Sequence, residues 1–102
     1  MNNDLRELKG VVIDPGHGGS DSGAIGNNQY EKDYTLKISQ YMYDRFNELG
    51  IPVILTRDSD ITVSPTDRAN KAKTAFGNYR DVIVISNHLN AGGGDSHCVT
   101  NV

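Results

Sequence analysis

The chain has 102 residues, with 10 Lys and Arg against 13 Asp and Glu, and a formal net charge of −3 at pH 7. That length predicts a single domain over residues 1–102. The acidic balance argues against a protein that grips a nucleic-acid backbone, and no apolar run reaches the roughly 20 residues of a membrane span. One cysteine, Cys98, cannot form an internal disulfide.

Three short apolar runs predict three buried strands. They occupy residues 10–14, 51–56 and 81–86. Each run is continuously apolar rather than alternating, which is typical of parallel strands that are covered on both faces.

Two helices are predicted between these strands. Asn28 and Glu31 resemble a capping box for the first helix, and Gly50 is placed to end it. An apolar stripe at three- and four-residue spacing is expected to face the core; it consists of Tyr34, Ile38, Tyr41, Met42, Phe46 and Leu49. The second helix is expected to begin at Ser64 and to end near Gly77.

The order strand, helix, strand, helix, strand predicts an α/β fold with a parallel-rich sheet and helices on both faces. Ligands of such sheets bind beyond the carboxyl ends of the strands. His17 and His88 follow the first and third predicted strands, and Glu31 lies at the start of the first helix. If those two strands are neighbours, about 4.8 Å apart, both imidazoles can reach one ion. Two histidines and a carboxylate are a ligand set of hydrolytic zinc enzymes, so Zn²⁺ is the expected cofactor.

Other interpretations of these residues stay open at this point. Glu31 is also explained as a helix-capping carboxylate. The glycine-rich loop 15–24 lies where a phosphate-binding loop would, although it lacks the phosphate-binding fingerprints, so a metal-free phosphate or nucleotide binder is the alternative. Gly18 and Gly19 are interpreted as letting the backbone pass close to whatever His17 binds. A triad of Ser22, His17 and Asp21 lacks a nucleophile elbow, and adjacent His97 and Cys98 suggest no site.

Three motifs resemble one known family. They are Val-Val-Ile-Asp-Pro-Gly-His-Gly-Gly at 11–19 with Gly-Ala at 23–24 and Glu-Lys at 31–32, Leu-Thr-Arg-Asp-Ser-Asp at 55–60, and Ile-Ser-Asn-His-Leu-Asn-Ala at 85–91. In this order they resemble the zinc-dependent N-acetylmuramoyl-L-alanine amidases of the amidase 3 type, found in bacterial autolysins and phage endolysins. The resemblance runs from about residue 10 to about residue 94.

The resemblance implies a site and a reaction. His17, Glu31 and His88 would hold zinc, Asn90 would lie beside the substrate, and Arg57 would brace the end of the sheet. The implied reaction is hydrolysis of the amide between N-acetylmuramic acid and the L-alanine of the peptidoglycan stem peptide. Peptidoglycan is then the expected partner and the bacterial cell wall the expected place of action, with no nucleic acid involved.

The chain also departs from the family. The family's domain is longer, and its general acid/base glutamate is expected beyond residue 102, so this chain is interpreted as the front portion of a catalytic domain with weak activity or none. Residues 95–102 do not resemble the family's next strand and are interpreted as foreign sequence. Residues 1–10 lack a signal peptide, which suggests release by a phage or excision from a larger secreted protein. Asn87 replaces an aliphatic residue and needs a partner if buried. The oligomeric state is left open.

Overall fold

The computed structural model describes residues 9–77, 81–89 and 98–101. In chain order its elements are β1 (Gly10–Pro15), β2 (Ile25–Gly26), β3 (Gln29–Tyr30), α1 (Glu31–Glu48), β4 (Val53–Leu55), α2 (Pro65–Thr74), β5 (Val82–Asn87) and β6 (Cys98–Asn101). One sheet has the order β4-β1-β5-β6, and β2 and β3 form a small hairpin. β1 pairs in parallel with both β4 and β5, which confirms the α/β fold and makes the first and third predicted strands neighbours.

The core lies on both faces of this sheet. On one face it consists of Val11, Ile13 and Val53, packed against Met42, Tyr43 and Phe46 of α1. On the other face it consists of Val12, Val82 and Val84, packed against Ala72, Ala75 and Phe76 in and after α2. The side chains of alternate β1 residues therefore point to opposite faces of the sheet, and both faces need apolar side chains. The continuous apolar run of the first strand follows from this burial.

Strand β6 lies in the tail, for which the sequence pattern predicted no strand. It pairs antiparallel with β5, from Ser86 opposite Cys98 to Ile83 opposite Asn101. The sequence Cys-Val-Thr-Asn carries no continuous apolar run, which was the signal used for the buried strands. Antiparallel strands do not need such a run, because one face of an antiparallel sheet can be solvated. His97 lies outside the described residues.

Helix α1 begins later than predicted. Asn27 and Asn28 have φ angles of 50° and 62° and form the turn between β2 and β3. Asn residues tolerate this left-handed conformation, and two of them in a row suit a tight hairpin turn. Tyr30 occupies the N-cap position without a side-chain hydrogen bond, so the predicted capping box was wrong. Gly50, with φ of 76°, follows the helix end as predicted.

The buried face of α1 is also more polar than predicted. Tyr34, Ile38 and Tyr41 are 40%, 43% and 68% exposed, whereas Thr35 and Ser39 are fully buried. The buried hydroxyls have specific partners, because the Thr35 hydroxyl donates to the Gly16 carbonyl and the Ser39 Oγ accepts from Nδ2 of Asn87. The half-buried Asn87 amide therefore has the partner that it requires.

Helix α2 begins as its sequence indicates. The Ser64 Oγ accepts a hydrogen bond from the Asp67 N–H at 3.1 Å, and Pro65 is the first helical residue. The helix ends at Thr74, a few residues before the predicted stop at Gly77. Neither this helix nor any other in the described part of the chain has the length and apolar character of a membrane span.

Arg57 ties the loops together at the carboxyl end of the sheet. Its side chain is 2% exposed. The guanidinium donates to the carbonyls of Pro15, Gly16, Lys32 and Ser59. Burial, with the nearby positive charge of a second arginine, lowers the pKa of Arg57. These contacts agree with the bracing role inferred from the family resemblance.

We expect Arg57→Met to lower the free energy of unfolding by about 2–4 kcal/mol, because it removes the hydrogen bonds from a buried guanidinium to four backbone carbonyls. Urea unfolding measures this change. Arg45→Met is the matched control, since Arg45 is exposed and pairs only with Glu48 among the described residues; its expected effect is within about 0.5 kcal/mol. Equal effects of the two substitutions would contradict the bracing role.

Candidate metal centre

The structure brings His17, Glu31 and His88 together at the carboxyl end of the sheet. β1 ends at Pro15 and β5 at Asn87, so each histidine follows a neighbouring strand, while Glu31 is the first residue of α1. One potential ligand atom from each residue lies within 4.8 Å of the others. The two imidazole rings are perpendicular, with centroids 5.1 Å apart.

The separations between the side chains fit a common ion. Oε2 of Glu31 lies 3.2 Å from Nε2 of His17 and 3.4 Å from Nδ1 of His88. Ligand atoms bound tetrahedrally to zinc at about 2.0–2.1 Å are about 3.4 Å from one another. Two of the three pairs already have this spacing, so the group is able to hold a metal ion.

The Glu31 carboxylate is buried but held in its charged form. Its side chain is 5% exposed. Burial by itself raises the pKa of Glu31, but hydrogen bonds from the backbone N–H groups of Ala24 and Leu89, together with the two histidines, outweigh it and lower the pKa. Oε1 accepts from Ala24 at 3.0 Å and Oε2 from Leu89 at 2.8 Å. Each oxygen keeps a further lone pair, so the carboxylate can still bind a cation.

Asp21 orients the ring of His17. Its Oδ2 lies 2.9 Å from Nδ1 of His17, and this hydrogen bond lowers the pKa of Asp21. In the neutral imidazole, donation from Nδ1 to this carboxylate leaves Nε2, 3.2 Å from Oε2 of Glu31, as the nitrogen that can accept a cation. Histidines that bind metals commonly have such a carboxylate partner. Sequence reasoning placed Asp21 only in a rejected triad; its position four residues after His17 in the same loop was the available signal.

Two glycines make room for the three clustered side chains. A Cβ on Gly16 would lie 2.6 Å from Cε1 of His88. A Cβ on Gly23 would lie 2.6 Å from Cδ2 of His17 and 2.8 Å from Glu31. Carbon atoms cannot approach this closely, so both positions require glycine for the observed arrangement.

Gly18 and Gly19 lie against the loop that follows β4. A Cβ on Gly18 would lie 2.4 Å from the carbonyl oxygen of Ile61, and one on Gly19 would lie 2.3 Å from Oγ1 of Thr62. These glycines therefore let two loops approach each other.

The surroundings of the centre include a small pocket. It has a volume of about 200 Å³ and is lined by Ala24, Ile25, Gly26, Gln29, Tyr30, Glu31, Tyr34 and Leu89. A larger cavity of about 610 Å³ lies along β4 and includes none of the three clustered residues. Asn90 lies outside the described residues. Arg57 contacts the loops beneath the centre and is not one of the clustered side chains.

In a comparison with known proteins, residues 11–100 match the family model described as N-acetylmuramoyl-L-alanine amidase. The uncharacterized protein YqiI of Bacillus subtilis is 41% identical over 86 residues, which cover 84% of this chain and 40% of YqiI. The N-acetylmuramoyl-L-alanine amidase CwlM of Bacillus licheniformis is 44% identical over 86 residues, covering 82% of this chain and 32% of CwlM. The solved N-acetylmuramoyl-L-alanine amidase AmiC2 of Nostoc punctiforme is 36% identical with a TM-score of 0.73, covering 85% of this chain and 47% of that one. The chain thus spans less than half the length of these relatives.

Proposed function

The chain belongs to the N-acetylmuramoyl-L-alanine amidase family, and we propose that it is the metal-binding part of a peptidoglycan hydrolase. The bond cleaved is the amide between N-acetylmuramic acid and the L-alanine of the stem peptide. The cofactor is Zn²⁺, and its ligands are His17, Glu31 and His88. The observation that carries this proposal is the position of the Glu31 Oε2, 3.2 Å from one histidine nitrogen and 3.4 Å from the other.

The chemistry of the donor set supports zinc. Two imidazole nitrogens and one carboxylate leave a fourth tetrahedral position free, as in catalytic zinc sites. When bound, zinc supplies Lewis-acid chemistry, which polarises a carbonyl and generates a nucleophile from water at neutral pH. Glu31 contributes a negative charge that offsets part of the charge of a dication. Asp21 holds the His17 ring so that Nε2 faces Oε2 of Glu31, from where it would bind the ion.

The chain also offers a surface for substrate beside the centre. The 200 Å³ pocket includes Glu31 and Leu89, so it opens directly next to the proposed zinc ligands. Ile25, Tyr30 and Tyr34 give it a largely apolar wall that can receive substrate groups next to the scissile amide. Asn90 beside the substrate and a general acid/base glutamate beyond residue 102 remain proposals drawn from the family resemblance. The proposed place of action is the bacterial cell wall.

Digestion of purified peptidoglycan by the zinc-loaded chain tests this function. We expect slow release of new L-alanine amino termini, identified by mass spectrometry, and no release by His88→Ala. Release of reducing sugar ends or of other peptide termini would contradict the proposed bond. Full zinc loading without release of L-alanine termini would contradict hydrolysis by this chain and favour the alternative, a zinc-binding, cell-wall-binding amidase fragment that is weakly active or inactive.

A further inference from the structure

We infer that Arg68 of α2 is a positioning residue for the metal centre, because it fixes the loop that carries His17. This inference rests on the proposed function, since it concerns the affinity of the proposed zinc site. It assigns a role to a helix that has no fully buried residue among those described. Neither the sequence motifs nor the ligand cluster includes Arg68.

The guanidinium of Arg68 reaches four groups near the centre. Nη1 donates to Oδ1 of Asp14 at 2.7 Å and to the carbonyl of Pro15. Nη2 donates to the carbonyl of His17, and Nε donates to the carbonyl of Val63 at 3.1 Å. A planar guanidinium with fixed donor directions suits such a set of acceptors, whereas a flexible ammonium does not.

The conformation of His17 explains why this contact matters. Its φ angle is 65°, in the left-handed region that residues other than glycine rarely adopt. Such a conformation persists only when surrounding contacts hold it. The hydrogen bond from Arg68 is made to the carbonyl of His17 itself, so it fixes the peptide unit that follows this residue and helps to hold its backbone conformation.

Asp14, the acidic partner of Arg68, is itself held in place by further hydrogen bonds. The Asp14 carboxylate also accepts from the hydroxyl of Thr56 at 2.7 Å and from the hydroxyl of Ser86 at 3.0 Å. These residues lie in or directly after the three parallel strands β4, β1 and β5. The ion pair between Arg68 and Asp14 is mostly buried, with side-chain exposures of 16% and 13%. Arg68 therefore connects the strand ends rigidly to the backbone of His17.

The test compares Arg68→Met and Arg68→Lys with the unaltered chain. The zinc dissociation constant is measured by competition with a chromophoric chelator, and the ligand geometry by the visible absorption of the Co²⁺-loaded protein. We expect Arg68→Met to weaken zinc binding about 10–100-fold, the usual effect of losing an outer-shell partner, and to alter the Co²⁺ spectrum. Arg68→Lys keeps the positive charge beside Asp14 but lacks the planar guanidinium with its fixed donor directions. We therefore expect its zinc affinity to be only slightly higher than that of Arg68→Met. If Arg68→Met does not fold, the zinc dissociation constant and the Co²⁺ spectrum of Arg68→Lys decide the result.

Thermal unfolding of the metal-free variants separates positioning from a merely structural role. A lower Tm with unchanged zinc affinity and an unchanged Co²⁺ spectrum in both variants would overturn the inference. Arg45→Met, which removes an exposed arginine that pairs with Glu48, should leave all three readouts unchanged. Absence of zinc binding by the unaltered chain would instead refute the proposed function itself, so the two failures are distinguishable.

Discussion

Glu31→Gln removes stoichiometric zinc binding from the chain, with an expected loss of affinity of more than about 100-fold. The substituted amide has no negative charge, and its NH₂ group replaces one of two oxygens that accept backbone N–H groups. Either Ala24 or Leu89 then faces a donor instead of an acceptor. The expected result is a metal-to-protein ratio near zero after dialysis against metal-free buffer, measured by elemental analysis.

Glu48→Gln is the matched control for this substitution. It changes the same residue type in the same helix, but Glu48 is exposed and pairs with Arg45. We expect it to retain full zinc binding. Equal zinc content in both variants would show that Glu31 is not a ligand and would leave it as a carboxylate at the start of α1 that accepts the backbone N–H groups of Ala24 and Leu89.

The second large effect is expected from Gly23→Ala. The added Cβ would lie 2.6 Å from the ring of His17 and 2.8 Å from the Glu31 side chain, so the two proposed ligands must move apart. The residue also has φ of 69°, which costs an alanine about 1–2 kcal/mol. We expect zinc affinity to fall by at least about tenfold and unfolding free energy to fall by about 2–4 kcal/mol.

Gly50→Ala is the control that separates the two effects of Gly23→Ala, the steric crowding by the added Cβ and the strain of a positive φ. Gly50 has a similar φ of 76°, but an added Cβ would meet nothing within 4 Å. This variant should show only the backbone cost, about 1–2 kcal/mol in urea unfolding, with unchanged zinc affinity. If Gly23→Ala and Gly50→Ala behave alike in both measurements, the space beside His17 is not what requires glycine at position 23.

The parallel strands could be predicted from the sequence because their burial on both faces makes them continuously apolar. Ser64 followed by Pro65 likewise carried enough local information to place the start of α2. The start of α1 could not be placed this way. Asn28 suits both a helix cap and a left-handed hairpin turn, and pairing of Ile25 with Tyr30 decides for the turn.

The buried face of α1 shows a different limit of prediction from sequence. Periodicity alone selected large apolar residues such as Tyr34 and Ile38, which are exposed. The helix instead buries Thr35 and Ser39, whose hydroxyls are stabilised by partners on Gly16 and Asn87. Those partners come from distant parts of the chain, so no local pattern reports them.

The candidate site was predictable to the same extent as the strands. His17 and His88 could be paired because the carboxyl ends of neighbouring parallel strands meet at one edge of the sheet. Arg68 was not predictable, because its contact with His17 joins residues 51 positions apart through a helix that the pattern did not connect with the site. Candidate ligands next to strand ends are therefore visible in the sequence, while the residues proposed to position them depend on tertiary contacts.

The central claim is that His17, Glu31 and His88 hold one zinc ion. The most direct measurement is the metal-to-protein ratio of the chain purified without chelator, compared with that of His88→Ala. The proposed assignment predicts one zinc ion per unaltered chain and almost none in the variant. A ratio near zero for the unaltered chain, or the same zinc content in both, would contradict the assignment.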